Sequence, residues 1–172
     1  MAGNLCGQPI TLDINVFIRA VISRDRSEFW SWPNVPPRTN NPSADCIGIL
    51  NDAEEFSLYL SPHVLTNLER VLIDQDGGLG WPAVVARQYT EVLREIAYGN
   101  GGGVIEPVVS VSDCLVDYED NRILELALAS GSFLIISTDK HLLDMSPWRG
   151  TPIITPADFV FRVSAMRQAK RA

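Results

Sequence analysis

The chain is short of several features that would have assigned it to a large class of proteins. Cysteine is scarce: Cys6, Cys46 and Cys114 are widely separated and odd in number. That count speaks against a disulfide framework or a zinc-ligand set and suits reduced thiols. Long apolar runs are missing, since none approaches the roughly 18–20 residues needed to cross a bilayer. The opening "MAGNLCGQP" lacks the basic start and apolar stretch of a secretory signal. The expectation is a cytoplasmic protein without membrane contact. Positive charge is also short, with 14 Lys and Arg against 21 Asp and Glu and a net charge of −7. A surface that binds nucleic acid everywhere is disfavoured, because phosphate contacts need Lys and Arg. A local basic lip around an acidic site stays open, and the formal count includes carboxylates that a bound cation would neutralise. His63 and His141 are the only histidines and do not have zinc-ligand spacing.

What remains is ordinary for a globular protein. With 172 residues, 46% of them hydrophobic and 20% charged, the expectation is one domain, residues 1–172, with room for a sizeable core. "PITLDIN" alternates Ile10, Leu12 and Ile14 against Thr11, Asp13 and Asn15 and reads as a strand, with "VFIRAVIS" a helix after it. Residues 25–48 read as a long irregular insertion rich in Trp and Pro. "FSLYLS" is a second strand and "PHVLTNLERVL" a helix. "PAVVARQYTEVLREIAYG" is a longer helix starting at Pro82, followed by "NGGG" as a flexible link and "VIEPVV" as a short strand. "DYEDNRILELALASG" is a helix with Gly131 as its C-cap. "SFLIIST" has the continuous apolar character of a strand at the centre of a parallel sheet. "TPIIT" is a last strand, and Thr155 caps a final helix with Pro156 at its first position, ending in a frayed basic tail, "RQAKRA". Strands alternating with helices predict a three-layer α/β/α sandwich with a mostly parallel sheet.

In such a sheet the ligand crevice lies beyond the carboxyl ends of the strands. Asp13 and Asp139 stand at two strand ends, and Asp120 lies in the first turn of the helix leading into the second of those strands. Three carboxylates at one sheet edge repel one another and raise each other's pKa values. A divalent cation relieves that repulsion, and Mg²⁺ or Mn²⁺ prefers hard oxygen ligands. Metal-assisted phosphodiester hydrolysis is the natural use of such a cluster. Taken singly, each Asp also has an ordinary explanation as a helix cap or strand-end residue.

These segments resemble the PIN-domain ribonucleases, and among them the VapC-like toxins of bacterial toxin–antitoxin pairs. "LDINVFIRAVIS" resembles the family's opening strand and helix, and "SPHVLTNLERVL" its second-helix segment. "DYEDNRILELALASGSFLIISTDKHLL" matches the core in order and spacing, and "TPIITPADFV" resembles the closing strand and helix. The resemblance implies that Asp13, Asp120 and Asp139 bind the metal. It implies that Asn15 and Ser137 support the site through hydrogen bonds and that Asp117 adds outer charge. It also implies an RNA substrate, a small antitoxin partner and a tendency to dimerise. One position departs from the pattern: the register that usually carries Glu falls on Asn67, with Glu69 two residues on, about 200° further around the helix. Either Asn67 occupies the position and activity is weakened, or the helix is rotated and Glu69 completes the site; the first is the expectation.

Other signals carry less. "GNGGG" precedes a strand instead of opening a helix and so is a poor phosphate loop. Trp30 and Trp32 suit loop packing or a partner better than base stacking. Arg19, Arg24 and Arg26 are most simply solvated, with RNA phosphates as the functional alternative, and His141 reads as an exposed turn residue. A haloacid-dehalogenase-like phosphatase would also have an early Asp, but its usual second Asp is Asn15 here. A PIN-like domain kept only for binding RNA or protein is the non-enzymatic alternative.

Overall fold

The computed structural model describes residues 7–22 and 40–172. Trp30, Trp32, Arg24, Arg26 and Cys6 lie outside the described residues. The elements run β1 (Gln8–Leu12), α1 (Ile14–Ile22), α2 (Pro42–Asn51), β2 (Phe56–Leu60), α3 (Pro62–Ile73), α4 (Ala83–Gly99), β3 (Gly103–Val104), α5 (Tyr118–Ser130), β4 (Leu134–Ile136), α6 (Lys140–Asp144), β5 (Ile153–Ile154) and α7 (Pro156–Arg171). The five strands form a single sheet in the order β3-β2-β1-β4-β5, and every pairing is parallel. Together with the seven helices among the described residues this is an α/β/α fold, with the sheet wholly parallel where a mostly parallel one was expected.

The sheet is apolar because both of its faces are covered. Ile10, Leu12, Leu58, Leu60, Ile135 and Ile136 are all buried. Even Thr11, on the opposite pleat of β1, is buried, and its hydroxyl shares a hydrogen bond of 2.8 Å with Ser132. Local chemistry starts the helices, at Thr155 as the sequence predicts and at Ser61 as well. Ser61 accepts from the Val64 N–H at 3.1 Å with Pro62 following it, and Thr155 accepts from the Asp158 N–H at 3.2 Å. Such caps are worth about 1 kcal/mol each. Gly131 ends α5 in the left-handed conformation, φ 64°, which side chains with a Cβ resist.

Four expectations are corrected. Within the stretch expected to be irregular, α2 forms: the Asn41 side chain caps it through the Ser43 and Ala44 N–H groups, Pro42 occupies its first turn, and Ala44, Cys46, Ile47 and Leu50 enter the core. Of "VIEPVV" only Val104 joins the sheet, in a two-residue strand with Gly103 before it. The "NGGG" stretch is a packed turn, not a flexible link. A Cβ at Gly102 would lie 1.8 Å from the Leu58 carbonyl oxygen, and Asn100 holds the turn by accepting from the Leu58 N–H at 3.0 Å and donating to the Leu50 carbonyl at 3.2 Å. The basic tail continues α7 to Arg171, and Arg167 anchors that helix on Glu55 and Asp52 at 2.8 and 3.1 Å.

The strand order decides where a site can form. From β1 the chain moves to β2 and then β3 on one side, and afterwards returns to place β4 on the other. The reversal opens a crevice beyond the carboxyl ends of β1 and β4, where open α/β sheets bind ligands. No helix among the described residues is long and apolar enough to cross a membrane.

Candidate active site

Asp13 and Asp139 follow the two strands that flank this reversal. Asp13 is the residue after β1, and its N–H donates to the Ile136 carbonyl at the end of β4, 2.9 Å away. Asp139 caps α6 by accepting from the His141 N–H at 2.7 Å. Ser137, fully buried, joins the two: its hydroxyl donates to Asp13 Oδ2 at 2.8 Å and accepts from the Asp139 N–H at 2.9 Å. Asn15 donates a longer bond, 3.5 Å, to the same Asp13 oxygen. The third acid arrives from α5. Asp117 caps that helix through the Glu119 N–H at 2.8 Å, which sets Asp120 in its first turn, only 5% exposed. The Cys114 thiol donates to Asp120 Oδ2 at 3.6 Å.

Asp13, Asp117, Asp120 and Asp139 line one cleft of about 160 Å³. Its walls include Asn15 from α1, His63 and Asn67 from α3, and Glu119 and Arg122 from α5. Of the two alternatives on α3, Asn67 faces this cleft, whereas Glu69 turns toward α4 and accepts from the Thr90 hydroxyl at 2.8 Å. His141 is not among the residues of the cleft; its backbone caps onto Asp139 while the residue is exposed. A larger adjoining groove, about 780 Å³, shares Asn15 and is lined by Arg19, Asn41 and Thr138, with no carboxylate among its described residues.

Electrostatics distinguish the cleft from a collection of surface acids. Burial holds the Asp13 carboxyl above the usual carboxylate range, opposed by hydrogen bonds from Ser137 and Asn15 and reinforced by the charge of Asp139. Asp120 is pushed up to about 6, first by burial and then by the charges of Asp139, Asp117 and Asp13. Among the described residues no Lys or Arg pairs with Asp13, Asp120 or Asp139. Arg122, which lines the cleft, is committed to Glu125 at 2.7 Å and lies over the Tyr118 ring. Hard oxygen donors that repel one another and lack a protein cation fit a divalent ion of the Mg²⁺ type. Among the described residues no three His, Cys, Asp or Glu side chains form a preformed metal cage.

The arrangement defines a parallel α/β protein with an acidic cleft at the reversal of its strand order. A family model for the PIN domain matches residues 9–141, and the chain belongs to that family, whose members are generally nucleases. Comparison with curated proteins and with solved structures finds no significant match.

Three residues of the cleft escaped sequence reasoning: Glu119, His63 and Arg122. Glu119 stands between Asp117 and Asp120 in one helical turn, and spacing does not say which of three neighbouring acids turns inward. His63 was weighed only as a zinc ligand. Its position in the first turn of α3, facing the head of α5, is a consequence of packing between the two helices.

Proposed function

We propose that the chain is a Mg²⁺- or Mn²⁺-dependent endoribonuclease, with Asp13, Asp120 and Asp139 holding the cation. The observation that carries this reading is the convergence of three carboxylates from separate segments in one cleft, with no Lys or Arg paired to them among the described residues. A cation bound there lowers the pKa of a water and offsets charge developing on a phosphoryl group. Ser137 and Asn15 orient Asp13 toward the cleft. Asp117 adds negative charge beside Asp120. The adjoining groove, with Arg19 on its wall and no acid among its described residues, gives an RNA strand a path to the cleft despite the chain's net charge of −7.

The same reading makes the protein the toxin of a toxin–antitoxin pair that acts in the cytoplasm, restrained by a small antitoxin and able to form a homodimer. Its support is the resemblance to VapC-like toxins, together with exposed apolar residues at the head of α5. Leu115 is 93% exposed, and Val116 and Tyr118 are also exposed.

The test is cleavage of a defined RNA by purified protein. Activity is expected to vanish in EDTA, to return with Mg²⁺ or Mn²⁺ and to be lost in Asp13→Asn. Cleavage that survives either treatment defeats the mechanism. A second reading, a PIN domain kept for binding RNA or protein, is favoured by the amide of Asn67 on the α3 wall. Calorimetry separates the two, because a binding module would retain its partner while taking up no Mg²⁺ or Mn²⁺.

A further inference from the structure

The α3 wall of the cleft carries no carboxylate of its own, yet it holds one. Glu119 Oε2 is 2.7 Å from His63 Nε2 and accepts from Asn67 Nδ2 at 3.1 Å. The Asn67 amide has its orientation imposed from behind, because its carbonyl oxygen accepts from Arg70 Nε at 3.1 Å and Nη2 at 2.7 Å. Asn67 therefore turns its NH₂ group, not its oxygen, to Glu119. It relays the attraction of Arg70 and is poorly placed to offer an oxygen to a cation.

The Glu119 side chain is 42% exposed, so it borders open water. In a cleft already holding Asp117, Asp120, Asp13 and Asp139, repulsion favours an outward position. Two donors from α3 oppose it and use only one of its oxygens. Oε1 has no hydrogen-bond donor among the described residues. A negative group kept at an acidic cleft against repulsion, with one oxygen spare, has its simplest use in the presence of a cation. Glu69 does not compete for this role while it is bonded to Thr90.

We propose that Glu119 supplies the cation-facing carboxylate on the α3 side of the cleft, with His63 and Asn67 as its positioning residues. The inference rests on the proposed binding of a divalent cation, and its experiment keeps the two apart. Mn²⁺ affinity is measured by calorimetry, and by the electron paramagnetic resonance signal of free Mn²⁺, on the full chain and its variants. Glu119→Gln is expected to weaken Mn²⁺ binding about tenfold, the lower end of what loss of a supporting group at a metal site costs. Glu69→Gln is expected to leave affinity unchanged. The double variant Asn67→Glu with Glu119→Gln, which returns a carboxylate to the same wall from α3, is expected to recover most of the loss.

A Glu119 that only stabilises the start of α5 through the helix dipole would shift the melting temperature but not Mn²⁺ affinity. An unchanged affinity in Glu119→Gln, or an equal loss in Glu69→Gln, overturns the assignment while leaving the three-aspartate site in place. Wild-type protein that binds no Mn²⁺ overturns both.

Discussion

Ser137 and Asp13 are 124 positions apart in the chain, yet the Ser137 hydroxyl donates to Asp13 Oδ2 at 2.8 Å. The bond spans the ends of two neighbouring strands. Because the same hydroxyl accepts from the Asp139 N–H, one buried side chain spaces two of the cleft's acids. Ser137→Ala is expected to cost about 2 kcal/mol, the range for a buried hydrogen bond to a charged group. Urea unfolding at neutral pH checks this, and an unchanged midpoint would show that the bond contributes nothing net.

Asp13 is expected to trade stability for function. It is 2% exposed and held above its ordinary pKa by burial, so at neutral pH its charge is costly to the metal-free fold. Asp13→Asn preserves shape and removes the charge. The variant should melt at a higher temperature than wild type in EDTA while losing about 100-fold or more in RNA cleavage, at least as much as loss of a supporting group costs a metal site. A variant that melts lower and cleaves normally would contradict both parts.

The same shifts set a pH dependence. The folded-state pKa values of Asp13 and Asp120 are raised, Asp120 to about 6. The folded protein therefore binds more protons than the unfolded chain across this window. The contribution of Asp120 to stability is fully present below the ordinary Asp range, near pH 4, and is lost as pH rises through about 6, and Asp13 acts in the same direction. Thermal melts in EDTA should show this contribution falling between these limits. Asp120→Asn should flatten the profile, and saturating Mn²⁺ should raise the melting temperature most at the upper end, where the carboxylates are free to bind. A profile that Asp120→Asn leaves unaltered would refute the assignment.

Asn100 supports the far side of the sheet. Its side chain accepts from the Leu58 and Gly102 N–H groups and donates to the Leu50 carbonyl. Asn100→Ala leaves the Leu58 N–H without its partner, while the Gly102 N–H keeps the Ala97 carbonyl and the Leu50 carbonyl keeps the Ala53 N–H, an expected loss of roughly 2 kcal/mol. Because β2 and β3 lie away from the cleft, residual folded protein should keep its Mn²⁺ affinity. Denaturant melts paired with calorimetry test both halves.

Much of the fold was legible because its signals are local. Thr155 marks a helix start, Gly131 marks a helix end, and the run through Leu134–Ile136 has the composition of a strand buried on both faces. Helix α2 was obscured because the prolines and asparagines around it resemble loop chemistry, although Asn41 and Pro42 are a cap and a first-turn residue. The turn at Gly102 reads as slack chain in the sequence because a glycine required by close backbone contact has the same letter as one that confers freedom.

By itself the sequence determined most of the elements, their alternation and the placing of acids at strand ends and a helix start, since caps, periodicity and burial patterns act within a few residues. The tertiary structure alone decided which side chains share the cleft. It turned Glu69 to Thr90, drew Glu119 to His63 and Asn67, and set Ser137 between Asp13 and Asp139. Those outcomes depend on how α3 packs against α5 and on the order in which parallel strands line up. Such long-range geometry leaves no periodic trace along the chain.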